Sequence, residues 1–242
     1  MNYLKSEHLK FKRTAVNRLV FLTPLLTAVF AWVVGGFTGF QYTAFYWWYA
    51  FLLPGTIAIL CTLSQRKEEH AGKYYAVFSM PADLLKFETA KCVILTEKLL
   101  IAALFFAILV SVSNLIAPAT AVYSVRESIC GSIGIILSSL WQIPLCLFLA
   151  RRAGVFLPVV LNAILGIFLP IVSGNTSVWY FVPYCYAAKL AEPLMGIQLN
   201  GTFADSSSFS TTAFCSIALS FLLFAVLTYA DARDFSKRRE TI

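Results

Sequence analysis

Residues 92–117 read CVILTEKLLIAALFFAILVSVSNLIA, and this stretch decides the fold class. Its only charged residues are Glu97 and Lys98, and its apolar residues form one continuous run instead of alternating with polar ones. A bilayer core about 30 Å thick is crossed by roughly 20 apolar residues in a helix. Because unpaired backbone groups are too costly in lipid, we predict a membrane-spanning helix here.

Five more stretches have the same length and apolar character. They cover residues 19–40, 43–63, 128–150, 154–174 and 211–230. Of the 242 residues, 59% are hydrophobic and only 13% are charged, whereas a soluble domain has about 25% charged residues. This composition excludes a soluble enzyme and a disordered chain. We predict an all-α integral membrane fold with six transmembrane helices, forming one domain over residues 1–242, and no cleaved signal peptide.

The net charge of +7 indicates membrane topology and not nucleic-acid binding. Of the 19 Lys and Arg residues, only Arg126 and Lys189 fall on the side assigned as outer. The rest lie in or next to the N-terminal segment, the connection 64–91, the turn after the fourth span and the C-terminal tail. The positive-inside rule therefore predicts that both termini are cytoplasmic.

The N-terminal segment, residues 1–18, has a helical pattern of its own. Leu4, His8 and Phe11 recur at helical spacing, while lysines such as Lys12 occupy the remaining faces. This pattern is typical of a helix that lies in the inner membrane interface, with its lysines near anionic lipid. The alternative is a basic segment that only anchors the topology.

The residues that most catalytic sites require are missing from the predicted spans. Both histidines, His8 and His70, fall on the predicted cytoplasmic side, and the six cysteines form no CxxC pair. No GxxxxGK[ST] sequence is present, so the chain has no phosphate-binding loop for ATP. We therefore predict no catalytic residues, no metal site and no cofactor bound by this chain, which is not expected to be an enzyme.

The connection 64–91 reads SQRKEEHAGKYYAVFSMPADLLKFETAK and is the longest predicted cytoplasmic loop. Residues 65–78 have helix-compatible composition and end in an aromatic cluster that includes Tyr74, Tyr75 and Phe78. Aromatic side chains are enriched at interface hot spots, which favours a docking surface. The same side chains are also typical of a segment that lies against the membrane surface. Composition leaves both interpretations open.

This connection resembles the intracellular loop of ABC-2-type permeases. The matching positions are Glu69, Gly72, the stretch 74–78, Ser79, Pro81 and Lys91. The residues predicted to couple to an ATPase are Glu68, Glu69, Gly72, Tyr74, Tyr75 and Phe78. The N-terminal Glu7-x-x-Lys10-x-Lys12-Arg13 is similar to the interfacial helix that opens these permeases. One position departs from the pattern, because Lys73 stands where the family has threonine, so details of ATPase contact do not transfer.

The long outer segment, residues 175–210, carries a second likeness. Its stretches 179–184, 193–197 and 200–201 are similar to bacterial lantibiotic-immunity permease subunits. ABC-2 permeases place short re-entrant helices here, and Trp179, Tyr180 and Tyr184 are candidates for contact with a substrate. The alternative is that these aromatic residues anchor the segment at the membrane interface.

The resemblance implies a function and a set of partners. It implies a type V exporter-like permease in a bacterial plasma membrane that expels a lantibiotic-type antimicrobial peptide. A separate cytoplasmic ATPase would supply ATP and Mg²⁺, and a second permease subunit, different or identical, would complete the transporter. Two alternatives stay open: an ABC-2 exporter of another amphipathic drug or lipid, and a non-transporting membrane sensor or assembly partner.

Overall fold

The computed structural model describes residues 3–11, 14–70, 83–203 and 210–239. Within these ranges the chain is helical apart from short connections and one isolated β-bridge between Ile197 and Phe203. The α-helices are α1 (Tyr3–Phe11), α2 (Ala15–Trp47), α3 (Leu53–His70), α4 (Leu84–Ile116), α5 (Val125–Ser139), α6 (Gln142–Ala153), α7 (Phe156–Ser173), α8 (Cys185–Met195) and α9 (Thr211–Arg239).

Four helical stretches are long and apolar enough to cross a membrane. They are Ala15–Glu69, Leu84–Ile116, Phe156–Ser173 and Thr211–Lys237. Helices α5 and α6 meet at a 47° bend and make a fifth candidate if they are counted as one broken span. Large apolar side chains cover the outward faces, as in Val33, which is 71% exposed, and Leu115, which is 84% exposed. The chain is therefore an all-helical, multi-pass membrane protein over the described residues.

Helix α2 breaks sharply at Gly36, which has φ 58° and ψ −157°. A positive φ of this kind is readily adopted by glycine and rarely by other residues. The rings of Phe30 and Trp47 lie 5.1 Å apart, whereas 17 residues of straight helix would separate them by about 25 Å. A Cβ added to Gly35 would lie 2.7 Å from Thr43 Oγ1. The chain therefore folds back on itself near Gly36, and Gly35 permits the close approach of Thr43 within this bend.

A π-helical turn, Trp48–Leu52, joins α2 to α3. Pro54 follows it and has no N–H to donate to the carbonyl of Ala50, four residues earlier. Helix α7 covers that carbonyl at Gly166, where an added Cβ would lie only 2.5 Å from Ala50 O. The π-turn thus depends on a glycine in a neighbouring helix for its packing.

The helices extend past the predicted apolar stretches at one end of the bundle. Helix α3 continues to His70, α4 begins at Leu84, and α9 continues to Arg239, so parts of the predicted connection 64–91 are helical. We call the end at which α3 ends and α4 begins the loop end. Helix α4 contacts α1, α2, α5 and α9 and is the central element of the bundle.

Gln41 organises the opposite end of the bundle. Its amide nitrogen donates to Ser113 Oγ at 2.9 Å and to Asn114 Oδ1 at 2.6 Å. Its amide oxygen accepts from the backbone N–H groups of Val122 and Tyr123 at 2.7 and 2.8 Å. One buried side chain of α2 therefore fixes the connection between α4 and α5.

The segment after α7 returns into the bundle. It forms a 3₁₀ turn (Ser177–Phe181) and then α8, which packs against α5 and α9. Pro193 lies inside α8 and does not end the helix, which stops at Gly196 in the left-handed region. The resemblance predicts short re-entrant helices in this segment, and the structure has one short turn and one buried helix there.

Candidate functional site

The predicted coupling residues lie around the segment between α3 and α4. Glu68 and Glu69 are in the last turn of α3, with Glu68 buried and Glu69 exposed. The remaining four, Gly72, Tyr74, Tyr75 and Phe78, lie outside the described residues. Their roles stay predictions, and the structural evidence for a site comes from the two helical flanks.

Glu68 is the first member of a buried ion-pair network at the loop end. Its Oε1 accepts a hydrogen bond from Lys10 Nζ of α1 at 2.9 Å. Its Oε2 accepts one from Lys91 Nζ of α4 at 2.7 Å. A single carboxylate of α3 therefore binds both the N-terminal helix and the first part of α4.

Lys91 extends the network toward the other helices. Its side chain is fully buried, and its ammonium also pairs with Glu88 at 3.2 Å. Glu88 contacts Arg151 of α6 at 3.4 Å, and Arg151 pairs with Asp231 of α9 at 2.6 Å. The network, defined here as Glu7, Lys10, Glu68, Glu88, Lys91, Arg151 and Asp231, thus joins α1, α3, α4, α6 and α9.

Two aromatic rings support the cations of the network. Phe87 and Phe235 stack with centroids 6.3 Å apart. Lys10 and Lys91 place their ammonium groups 4.6 and 4.9 Å from the centre of the Phe87 ring, and the Arg151 guanidinium lies 4.6 Å from that of Phe235. Cation–π contacts of this kind strengthen when water is excluded. The rings therefore stabilise positive charge at a site with little solvent.

The chain after the undescribed segment 71–82 is also fixed to α1. Asp83 caps α4, because its carboxylate accepts from the N–H groups of Leu85 and Lys86. These hydrogen bonds, led by that from Lys86, hold the pKa of Asp83 below its ordinary value. The backbone N–H of Asp83 donates to the hydroxyl of Tyr3 at 3.1 Å. Both flanks of the segment are thus attached to the N-terminal helix.

Glu7 brings a further negative charge into the same space. It is 1% exposed and pairs with Lys10, one helical turn along α1. Burial, together with the carboxylate of Glu68, raises the pKa of Glu7 above its ordinary value, while Lys10 opposes the shift. Lys10 is therefore shared between two carboxylates and lies against the bundle.

The network can transmit force between helices because its pairs are buried. Removing one partner of a buried ion pair typically costs about 3–5 kcal/mol, since the other charge is left without compensation. A displacement of α3 or α4 at the loop end must therefore move the attached helices or exchange one set of pairs for another. This arrangement is suited to mechanical coupling.

The predicted interfacial residues fall on different sides of α1. Leu4 and His8 are exposed, and His8 Nδ1 lies 3.7 Å from Glu97 of α4. Phe11 is 2% exposed and belongs to the protein core, and Lys12 lies outside the described residues. Placement of this helix in the membrane interface stays a prediction.

The three predicted substrate-contact residues also differ in exposure. Trp179 and Tyr184 are buried, whereas Tyr180 is 47% exposed. The hydroxyl of Tyr184 donates to Asn162 Oδ1 at 3.1 Å, and its ring lies edge-on to Trp141 at the bend between α5 and α6. Tyr184 thus has a packing role, and contact of these residues with a substrate stays a prediction.

Glu88 and Asp231 had no predicted role, and Arg151 entered only the charge count that predicted topology. Each lies within about one helical turn of a predicted span end, on the side assigned as cytoplasmic. The positive-inside rule counts Lys and Arg and ignores the acidic residues among them. The sequence pattern that indicates the network is the presence of acidic and basic residues near the same end of several predicted spans, and the charge count did not use it.

Among the described residues, no group of three or more His, Cys, Asp or Glu side chains is arranged to hold a metal ion. The acidic members of the network are instead compensated by lysine and arginine.

Comparisons with protein-family models, with curated proteins and with solved structures find no match for this chain. The network and the sequence patterns are therefore the basis for a functional proposal.

Proposed function

We propose that the chain is the permease subunit of an ABC-2-type exporter in a bacterial plasma membrane. A separate ATPase would dock on the connection 64–91 and drive the spans. The observation that carries the proposal is the network, because it attaches both flanks of this connection to α1, α6 and α9. A partner that moves the connection would thereby move five helices.

Six spans result if the stretch Ala15–Glu69 is divided at its bend and if α5 and α6 are combined into one bent span. The helical stretch Ala15–Glu69 has 55 residues and would be about 82 Å long if straight, far more than a 30 Å bilayer core requires. Its break at Gly36 supports two antiparallel spans. Helices α5 and α6 would together form one bent span, with α8 re-entrant between spans five and six.

The substrate side of the proposal rests on the likeness of the outer segment to lantibiotic-immunity permeases. A peptide drawn from the outer leaflet would meet the exposed ring of Tyr180 and the neighbouring aromatic residues. A second permease subunit, identical or different, would complete the path. The chain would contribute no catalytic group of its own, since hydrolysis would take place on the ATPase.

The proposed orientation is tested by cysteine labelling in intact cells. Exposed Cys130 is first replaced by serine, and single cysteines are placed at Ser207, Lys67 and Lys237. Since the positive-inside rule places both termini and the connection 64–91 inside, an impermeant maleimide should label position 207 alone. Labelling of position 67 without permeabilisation would reverse the orientation and remove the coupling proposal.

The docking of the ATPase is tested by shortening the aromatic side chains of the connection. Tyr74→Ala, Tyr75→Ala and Phe78→Ala are expected to weaken ATPase binding, with at least one variant losing about 2 kcal/mol, as interface hot spots do. Co-purification of a P-loop ATPase with the full chain, and growth in lantibiotic-type peptide, are measured at matched membrane levels.

Tyr229→Ala is the control, because its ring is 58% exposed on α9, inside a predicted span. It should retain both ATPase binding and resistance. If all three variants of the connection behave like this control, the connection is not the docking surface.

A further inference from the structure

A groove of about 760 Å³ lies between α1 and the first turns of α4, and the proposed function does not use it. Helix α1 contributes Tyr3 and Leu4, and α4 contributes Leu85, Lys86, Thr89 and Val93. Its size is within the range of small-molecule sites, about 300–1,000 Å³. Several of its lining residues, including Leu4, Leu85 and Lys86, are exposed at the protein surface.

The polarity of the groove decreases along α4. Lys86 is in the first turn, Thr89 is in the next, and Val93 lies another turn along. From Lys86 to Val93 the helix rises about 10 Å. The headgroup layer of one leaflet is roughly 5–8 Å thick, and the acyl chains begin beneath it. The groove therefore presents charge, hydroxyl and hydrocarbon in the order and over the depth that a phospholipid requires.

Helix α1 forms the opposite wall of the groove, and this wall also combines a polar group with apolar surface. Tyr3 is an aromatic residue with a polar tip, which is typical of the membrane interface, and Leu4 is 47% exposed. On α4, Leu85 and Val93 are 43% and 45% exposed. In water this apolar surface would be unfavourable, whereas a bound lipid molecule would cover part of it.

The charge at the polar end favours an anionic ligand. The Lys86 side chain is 70% exposed and pairs with Asp83 at 3.2 Å. Such exposed pairs are weak, so the ammonium remains available to a phosphate.

We propose that the groove binds a single anionic phospholipid. Its phosphate lies at Lys86, its ester region at Thr89, and an acyl chain passes Val93. The bound lipid would hold α1 against α4, beside the network. This proposal needs only that α4 starts at a membrane surface, so it is independent of the transported substrate and of any ATPase.

The full chain in nanodiscs that contain a photoactivatable phosphatidylglycerol, or the matched phosphatidylcholine, tests this proposal. Mass spectrometry then locates the cross-linked peptides. In the wild type, phosphatidylglycerol should label α1 and the first turns of α4 at least fivefold more than phosphatidylcholine. Lys86→Glu should lower the phosphatidylglycerol signal at least fivefold, while Thr89→Trp should fill the groove and lower the signal of both lipids.

Lys237→Glu is the matched charge reversal and should leave labelling of the groove unchanged, because Lys237 is exposed on α9. Equal labelling by the two lipids in the wild type would overturn the proposal. So would unchanged labelling in Thr89→Trp, whose exposed position makes it the deciding variant if Lys86→Glu does not yield folded protein.

Discussion

Lys91→Met is expected to destabilise the protein by about 3–5 kcal/mol, because it leaves the buried carboxylates of Glu68 and Glu88 facing each other without their shared cation. Methionine has nearly the length of lysine, so the loss reports charge more than volume. For a domain of this size the apparent melting temperature in detergent should fall by roughly 6–20 °C.

Two further variants separate the electrostatic cause from a packing defect. Lys237→Met removes an exposed lysine and should change stability by less than about 0.5 kcal/mol. Combining Lys91→Met with Glu68→Gln and Glu88→Gln should restore much of the lost stability, since no uncompensated carboxylate remains at the centre. A single variant as stable as the wild type would show that these charges are not buried together.

Gly166→Ala is expected to cost about 2–3 kcal/mol. The added Cβ would lie 2.5 Å from the carbonyl oxygen of Ala50, a backbone atom of the π-turn that cannot rotate away. Either α7 separates from the π-turn or the turn itself shifts, and overpacking of this kind costs 1–3 kcal/mol. Thermal unfolding of the purified chain measures the loss.

Gly55→Ala is the matched control for this substitution. It makes the same chemical change in α3, one residue after Pro54, where an added Cβ has no neighbour within 4 Å. Alanine favours a helix over glycine by up to about 1 kcal/mol, so this variant should be neutral or more stable. Equal behaviour of the two variants would contradict the close packing of α7 on the π-turn.

The sequence was sufficient to predict the fold class and the positions of the apolar helices. Hydropathy alone located the runs that became α4, α7 and α9, because lipid requires long helical apolar segments. Hydrophobic periodicity did not predict the break at Gly36. The apolar run contains several glycines, and the sequence does not show which of them adopts non-helical backbone angles.

The network could not be predicted, because it depends on tertiary contact between residues far apart in the chain. Glu68 and Asp231 belong to different helices, and nothing local to either shows that α4 and α6 connect them. The charge count used only lysine and arginine to predict the topology and did not include the acidic residues. The structure adds that cations and carboxylates at this depth compensate each other inside the bundle.

Under the proposed function, the network would transmit the motion of the connection without contacting the ATPase itself. Lys10, Glu68 and Lys91 are positioning residues, because they hold the flanks of the connection relative to α6 and α9. Docking and transmission should therefore be separable by mutation. Aromatic residues of the connection would control binding of the ATPase. Network residues would control how strongly the bound ATPase moves the spans.

Glu68→Gln in the full chain, expressed with its partners at matched membrane levels, tests this separation most directly. The amide keeps the size of the side chain but loses the charge shared by Lys10 and Lys91. Glu97→Gln is the control, because Glu97 is 43% exposed and lies outside the network. Resistance to a lantibiotic-type peptide and co-purification of the ATPase are measured together. The account predicts that Glu68→Gln retains ATPase binding within about twofold while resistance falls at least tenfold, since about 1.4 kcal/mol of lost coupling suffices. Full resistance in Glu68→Gln, with the ATPase bound, would contradict it.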